Sequence, residues 1–161
     1  MDELEIPFRS DGVRADLSCL VLRAFSRFEA ALKQANYAVQ QGDRLIVEYR
    51  RFAADHETTF KPGELSRSAG YLVSHPPKRQ RKQGDKLKWC PMEPPPSPVT
   101  LRWLLDSAYQ VRNNLFHGGK WAPEIRDPSR DEQLLNGTLD VLRVVIRLNP
   151  TVESKYGDII T

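Results

Sequence analysis

Apolar residues recur at three- and four-residue steps through three long stretches of the chain, and each such stretch predicts a helix with one buried stripe. In the first, from about Ala15 to about Val39, the stripe is Leu17, Leu20, Val21, Ala24, Phe25, Phe28, Leu32 and Ala35, with Arg23, Arg27, Lys33 and Gln34 largely off it. Cys19 falls inside this pattern, which predicts a buried thiol. Gln40-Gln41-Gly42-Asp43 interrupts the pattern, and a shorter helix is expected from Asp43 to about Asp55 with Leu45, Ile46, Tyr49, Phe52 and Ala53 inward. Lys61-Pro62-Gly63 breaks the chain again before a short helix over Glu64 to Val73.

The third long helix is expected to start with Ser97 as cap and Pro98 in the first helical position, where a missing N–H costs nothing. Leu101, Leu104, Leu105, Ala108, Val111 and Leu115 supply its stripe, and Gly118-Gly119 ends it. The last helix opens on Ser129 with Glu132 three residues later as a capping box. Leu134, Leu135, Thr138, Val141, Leu142, Val145, Ile146 and Leu148 follow, and Asn149-Pro150 is its stop. No stretch alternates with period two. The pattern therefore predicts an all-α antiparallel helical bundle, with residues 1–161 forming one domain.

Residues 75–98 are different in kind. Pro76, Pro77, Pro91, Pro94, Pro95, Pro96 and Pro98 make continuous helix or central strand unexpected there, so the segment reads as a proline-rich insert in the bundle. Charge sharpens that picture. The whole chain carries only +3, yet Lys78, Arg79, Arg81, Lys82, Lys86 and Lys88 crowd into the insert against Asp85 alone, leaving the remainder slightly acidic. A local cluster of this kind suits a polyanion such as RNA, and equally a solvated loop. Composition (40% hydrophobic, 28% charged) is that of an ordinary globular domain. No apolar run approaches a membrane span, the start Met1-Asp2-Glu3 is acidic, and two cysteines are too few for a disulfide framework. A cytoplasmic location is expected.

Candidate chemistry concentrates at the end of the third long helix. Asn113 and His117 stand four apart and share a face, with Arg112 about 100° to one side and near the edge of the apolar stripe. In the last turn the helix dipole favours a protonated His117. The result suits an anion site holding a proton donor. The same geometry also fits an arginine paired to a carboxylate and a C-terminal capping histidine, because ion-pair networks imitate functional sites.

Arg112-Asn113-Asn114-Leu115-Phe116-His117 has the form R-x4-H with asparagine after the arginine, and it resembles the ribonuclease signature of the HEPN superfamily. A second family motif, E-x3-K/R in the first long helix, is matched by Glu29 and Lys33 in Phe28-Glu29-Ala30-Ala31-Leu32-Lys33. The resemblance spans about residues 15–148, apart from the insert. It implies a metal-independent endoribonuclease without cofactor, acting as a homodimer in which two copies of the motif meet. Arg112, Asn113 and His117 would be catalytic, and Glu29 and Lys33 supporting. The insert's six cations would bind RNA. A toxin-like or defence role, with a protein antitoxin or regulator as partner, follows by analogy with the family. The alternative within the same resemblance is a non-catalytic module that binds a nucleotide, RNA or a protein. Some family members place a tyrosine two residues beyond the histidine as a target for nucleotide modification. Gly119 stands there, so that mode of control is not expected.

Weaker candidates remain. A DNA-binding role for the insert lacks any helix-turn-helix pattern. His56 reads as a solvent-facing helix end, and His75 with Cys90 is too sparse for zinc. Trp103, Tyr109 and Trp121 read as core or dimer-face aromatics.

Overall fold

Three long helices carry the core: α1 (Ala15–Gln34), α4 (Leu101–His117) and α5 (Pro128–Ile146). They belong to a computed structural model that describes residues 15–117 and 127–158. Between α1 and α4 lie a first hairpin, β1 (Ala38–Gln41) with β2 (Arg44–Val47), then α2 (Tyr49–His56), a 3-10 turn (Pro62–Glu64), α3 (Arg67–Ser74), and a second hairpin, β3 (Lys78–Gln83) with β4 (Lys86–Pro91). A short α6 (Pro150–Gly157) closes the described chain.

The stripes meet as the spacing requires. Val21, Phe25, Phe28 and Leu32 of α1, Leu101, Leu104, Leu105 and Ala108 of α4, and Leu135, Val141, Leu142 and Val145 of α5 are buried in one cluster. Phe52 of α2 and Leu72 of α3 join it. Each of the larger side chains contributes roughly 1.5–3 kcal/mol of burial, so this cluster, rather than any polar link, holds the bundle. α3 lies especially close to α5. A Cβ on Gly137 would come within 2.5 Å of the Ser68 carbonyl oxygen, so the absence of a side chain sets the approach. Ser66 caps α3 by accepting from Ala69 N (3.0 Å) and donates to Asp140 of α5 (2.8 Å). α6 is docked on α1 by Arg27, whose guanidinium donates to the carbonyl oxygens of Tyr156 (2.6 and 3.0 Å) and Asp158 (3.0 Å).

The fold is helix-dominated but not all-α, and the hairpins correct several expectations. α1 stops at Gln34, because Asn36 turns the chain with φ +64° and Ala38 and Val39 enter β1. The helix expected from Asp43 is β2 followed by α2, and Leu45 and Ile46 are exposed rather than inward. In both hairpins a two-residue Gly-Asp loop reverses the chain, and Gly42 and Gly84 take the positive φ (58° and 61°) that such turns need. The prolines of the insert flank its strands or end them, and the segment between them pairs in register from Lys78↔Pro91 to Gln83↔Lys86.

Helix starts also differ. α4 begins three residues later than expected: Thr100 caps it by accepting from Trp103 N (3.2 Å), and both Glu57 carboxylate oxygens accept from Leu101 N (3.1 and 3.0 Å). Asp127, not Ser129, caps α5 by accepting from Arg130 N (3.0 Å). Asn149 does not end the helical structure but caps α6, accepting from Val152 N (3.1 Å). Cys19 and Leu20 fall on the exposed side of α1. His56 is half-buried rather than solvent-facing, stacked on Phe52 at 4.3 Å with its Nδ1 against the Phe52 carbonyl (2.8 Å). The expected helix end at Gly118-Gly119, and Trp121, lie outside the described residues. No helix among the described residues is long and apolar enough to cross a membrane.

Candidate functional site

α1 and α4 pack side by side, and their apolar stripes leave Glu29 and Arg112 at the shared edge. The Arg112 guanidinium lies 3.9 Å from the Glu29 carboxylate, with about a quarter of each side chain exposed (27% and 24%). Arg112 Nη1 donates to Asn113 Oδ1 at 3.2 Å, and the guanidinium sits 4.7 Å from the centre of the Phe116 ring. Its Nε is buried without a hydrogen-bond partner among the described residues. A pair at 3.9 Å is too long for a hydrogen bond, and partly exposed ion pairs contribute at most about 1 kcal/mol. The arrangement therefore aims the arginine more than it stabilises the fold. Phe116 is itself 58% exposed, so the guanidinium lies against a ring that faces solvent.

Below Arg112, Tyr109 is buried, stacked on Tyr49 at 3.9 Å and edge-on to Phe25 at 5.1 Å. Burial first, and then the negative charge of Glu29, push its phenol well above the ordinary value. Among the described residues its hydroxyl meets no partner at ordinary hydrogen-bond geometry. Tyr49 instead donates to Asp106 (2.8 Å), which Arg50 also bonds (3.0 Å), and this link fixes α2 against α4. Burial, reinforced by Asp106, raises the Tyr49 phenol as well.

The motif's second asparagine has a role that the R-x4-H form does not reveal. Asn114 Oδ1 accepts from Gln110 Nε2 (2.8 Å), and its Nδ2 donates to the carbonyl of Lys78 (2.8 Å), the first residue of β3. Arg130 of α5 donates to the carbonyl of Pro76 (2.8 Å). The root of the basic hairpin is thus tied to the helix that bears Arg112 and to α5. Beyond the root, Arg81, Lys82, Lys86, Leu87 and Lys88 are all exposed.

Strand alternation sorts the cations. Arg79, Arg81, Lys86 and Lys88 share one face, and Lys78 and Lys82 the other. Arg81 stands directly opposite Lys88, a like-charge pair that costs a two-stranded hairpin about 0.2–1 kcal/mol. None of these six side chains makes an ion pair among the described residues, and Arg79 Nε is buried without a partner. A hairpin this small is marginal alone, so its tethers to α4 and α5 favour it.

Of the residues singled out from sequence, Arg112, Asn113 and Glu29 come together, and the hairpin cations stand on the same helix's flank. Lys33 is exposed and has no ion-pair partner among the described residues, so Glu29 does not form the surface pair that i,i+4 spacing allows. His117 is the last residue of α4, and its side chain lies outside the described residues. Among the described residues, no three His, Cys, Asp or Glu side chains form a group that could hold a metal ion. Compared with family models, curated proteins and solved structures, the chain finds no match.

Proposed function

We propose that this chain is a HEPN-type endoribonuclease that cleaves RNA without a metal ion, at a site completed by two copies of the chain. The observation that carries the reading is the Glu29–Arg112–Asn113 arrangement, in which two separate helices aim one guanidinium at a partly open edge. In the reaction, the 2′-oxygen attacks the adjacent phosphorus, the P–O5′ bond breaks, and the products are a 2′,3′-cyclic phosphate and a 5′-hydroxyl. A base must take the 2′ proton and an acid must supply one to the 5′-oxygen. One His117 per chain cannot be both at once. A second copy related by a two-fold axis supplies the other.

Arg112 stabilises the negative charge that gathers on the phosphorane oxygens, the usual task of a fixed donor in such a site. Asn113, bonded to Arg112, keeps the guanidinium aligned, and Glu29 holds it from α1. The hairpin cations add affinity through phosphate neutralisation, with no part in the chemical step. A toxin-like or defence effector, held in check by a protein antitoxin, is the physiological role that accompanies this reading.

The two-copy site has a direct test. Light scattering on the purified protein is expected to give a dimer at micromolar concentration. A strictly monomeric protein that still cleaves RNA would overturn the composite site.

A further inference from the structure

A polar groove of about 490 Å³ runs between α3 and α5, within the roughly 300–1,000 Å³ range of ligand sites. Its walls carry the groups that recognise a base. Tyr71 of α3 stacks on His75, just past the helix end, at 4.3 Å with the planes 11° apart, and Ser74 Oγ holds His75 Nδ1 at 2.9 Å. On α5, Gln133 and Asn136 stand three apart on one face and are exposed. Asn136 makes no hydrogen bond among the described residues, and Gln133 makes only a long one (3.4 Å) to its own helix. Among the described residues, Arg67 contributes a cation without an ion-pair partner and no carboxylate lines the groove. Gly70 keeps the space open, since a Cβ built there would meet nothing within 4 Å.

Its position ties the groove to the rest of the RNA path. His75 immediately precedes Pro76, whose carbonyl is held by Arg130, one turn before Gln133 on α5. Two residues further on, the Lys78 carbonyl is held by Asn114 of the motif helix. The groove therefore borders the hairpin root.

We infer that the α3–α5 groove is a nucleotide subsite that takes one unpaired base of a single-stranded RNA, whose flanking phosphates lie along the hairpin. The base stacks against the exposed His75 and is read on its edge by the amides of Gln133 and Asn136, while Arg67 meets a phosphate. Aromatic stacking and amide reading of splayed bases are the usual means of single-strand recognition. A duplex does not present a base in this way, so the subsite selects single strands. This rests on the proposal that the chain handles RNA, and it adds a source of sequence preference remote from the reacting phosphate.

The test measures binding apart from cleavage, with 2′-O-methyl 12-mers of A, C and U, which lack the attacking hydroxyl. Gly70→Leu fills the groove from an uncrowded helical position and should leave the melting temperature unchanged or raised. It is expected to weaken the preferred 12-mer about tenfold, on the scale of one lost stacked base. Gln133→Ala combined with Asn136→Ala is expected to level the ranking of the three oligomers. Groove-dependent binding without cleavage of ordinary RNA supports the subsite and overturns the nuclease reading. Cleavage with binding unaltered in both variants overturns the subsite alone, and absence of any RNA binding overturns it as well.

Discussion

The side-chain amide of Asn114 donates to the backbone carbonyl of Lys78 at 2.8 Å, so the helix that presents Arg112 also fixes where the basic hairpin leaves the body. Asn114→Ala removes that bond, whose net worth is about 0.5–1.5 kcal/mol. The fold is expected to survive, because the core cluster does not involve this residue. Amide hydrogen exchange in β3 and β4 should accelerate up to roughly tenfold, the equivalent of about 1.4 kcal/mol. RNA cleavage should show a raised KM with kcat little changed. Unaltered exchange in the hairpin would mean that Arg130 and the hairpin's own packing hold it without Asn114.

The hairpin cations have a signature of their own. Changing Arg81, Lys82, Lys86 and Lys88 to Ser should lower RNA affinity and flatten its dependence on salt. The logarithmic slope should fall by about 0.7 for each single-strand phosphate that is no longer neutralised. These side chains are exposed, so stability should move by less than about 0.5 kcal/mol. Removing the Arg81–Lys88 opposition should even favour the hairpin slightly. Titrations at low and moderate salt decide the matter, and an unchanged slope would leave RNA gripped at the motif and groove alone.

Tyr109 links the site to pH. Burial and the Glu29 charge raise its phenol above the ordinary value of 10.0, so the folded protein keeps the proton at a pH where the unfolded chain loses it. The unfolded state then binds fewer protons, and this contribution to stability is complete below about pH 10 and falls as pH rises beyond it. Tyr109→Phe should lessen the alkaline loss, with Tyr49 accounting for part of what remains. Since the Tyr109 hydroxyl meets no partner at ordinary hydrogen-bond geometry among the described residues, the substitution should cost little at neutral pH. Denaturant melts at neutral and alkaline pH test both halves. A neutral-pH loss above about 1.5 kcal/mol would reveal a hydrogen bond from Tyr109 to Glu29.

The core is legible in the sequence, because long helical stripes are local signals, whereas the approach of Glu29 to Arg112 is pointed to only by the family resemblance. The hairpins escape the periodicity reading, although their turns carry a signal of another kind. Gln41-Gly42-Asp43-Arg44-Leu45 and Gln83-Gly84-Asp85-Lys86-Leu87 are nearly the same turn written twice, and Gly-Asp between short strands is a hairpin mark. Leu45, Ile46, Tyr49 and Phe52 happen to fit helical spacing, which hid the first turn. The proline count hid the second, although prolines at strand ends remove no ladder bond that is needed. Asn114, Arg130 and the α3–α5 groove depend on residues far apart in the chain, and no local pattern announces such proximity.

Cleavage of mixed RNA by the pure protein in EDTA, beside His117→Ala and Arg112→Ala, bears most directly on the proposed chemistry. The account predicts products ending in 2′,3′-cyclic phosphate, no inhibition by the chelator, and a loss of at least about a hundredfold in each variant, the lower range for a proton-transfer or charge-stabilising group. Near-normal cleavage by both variants, or products lacking the cyclic phosphate, would contradict it.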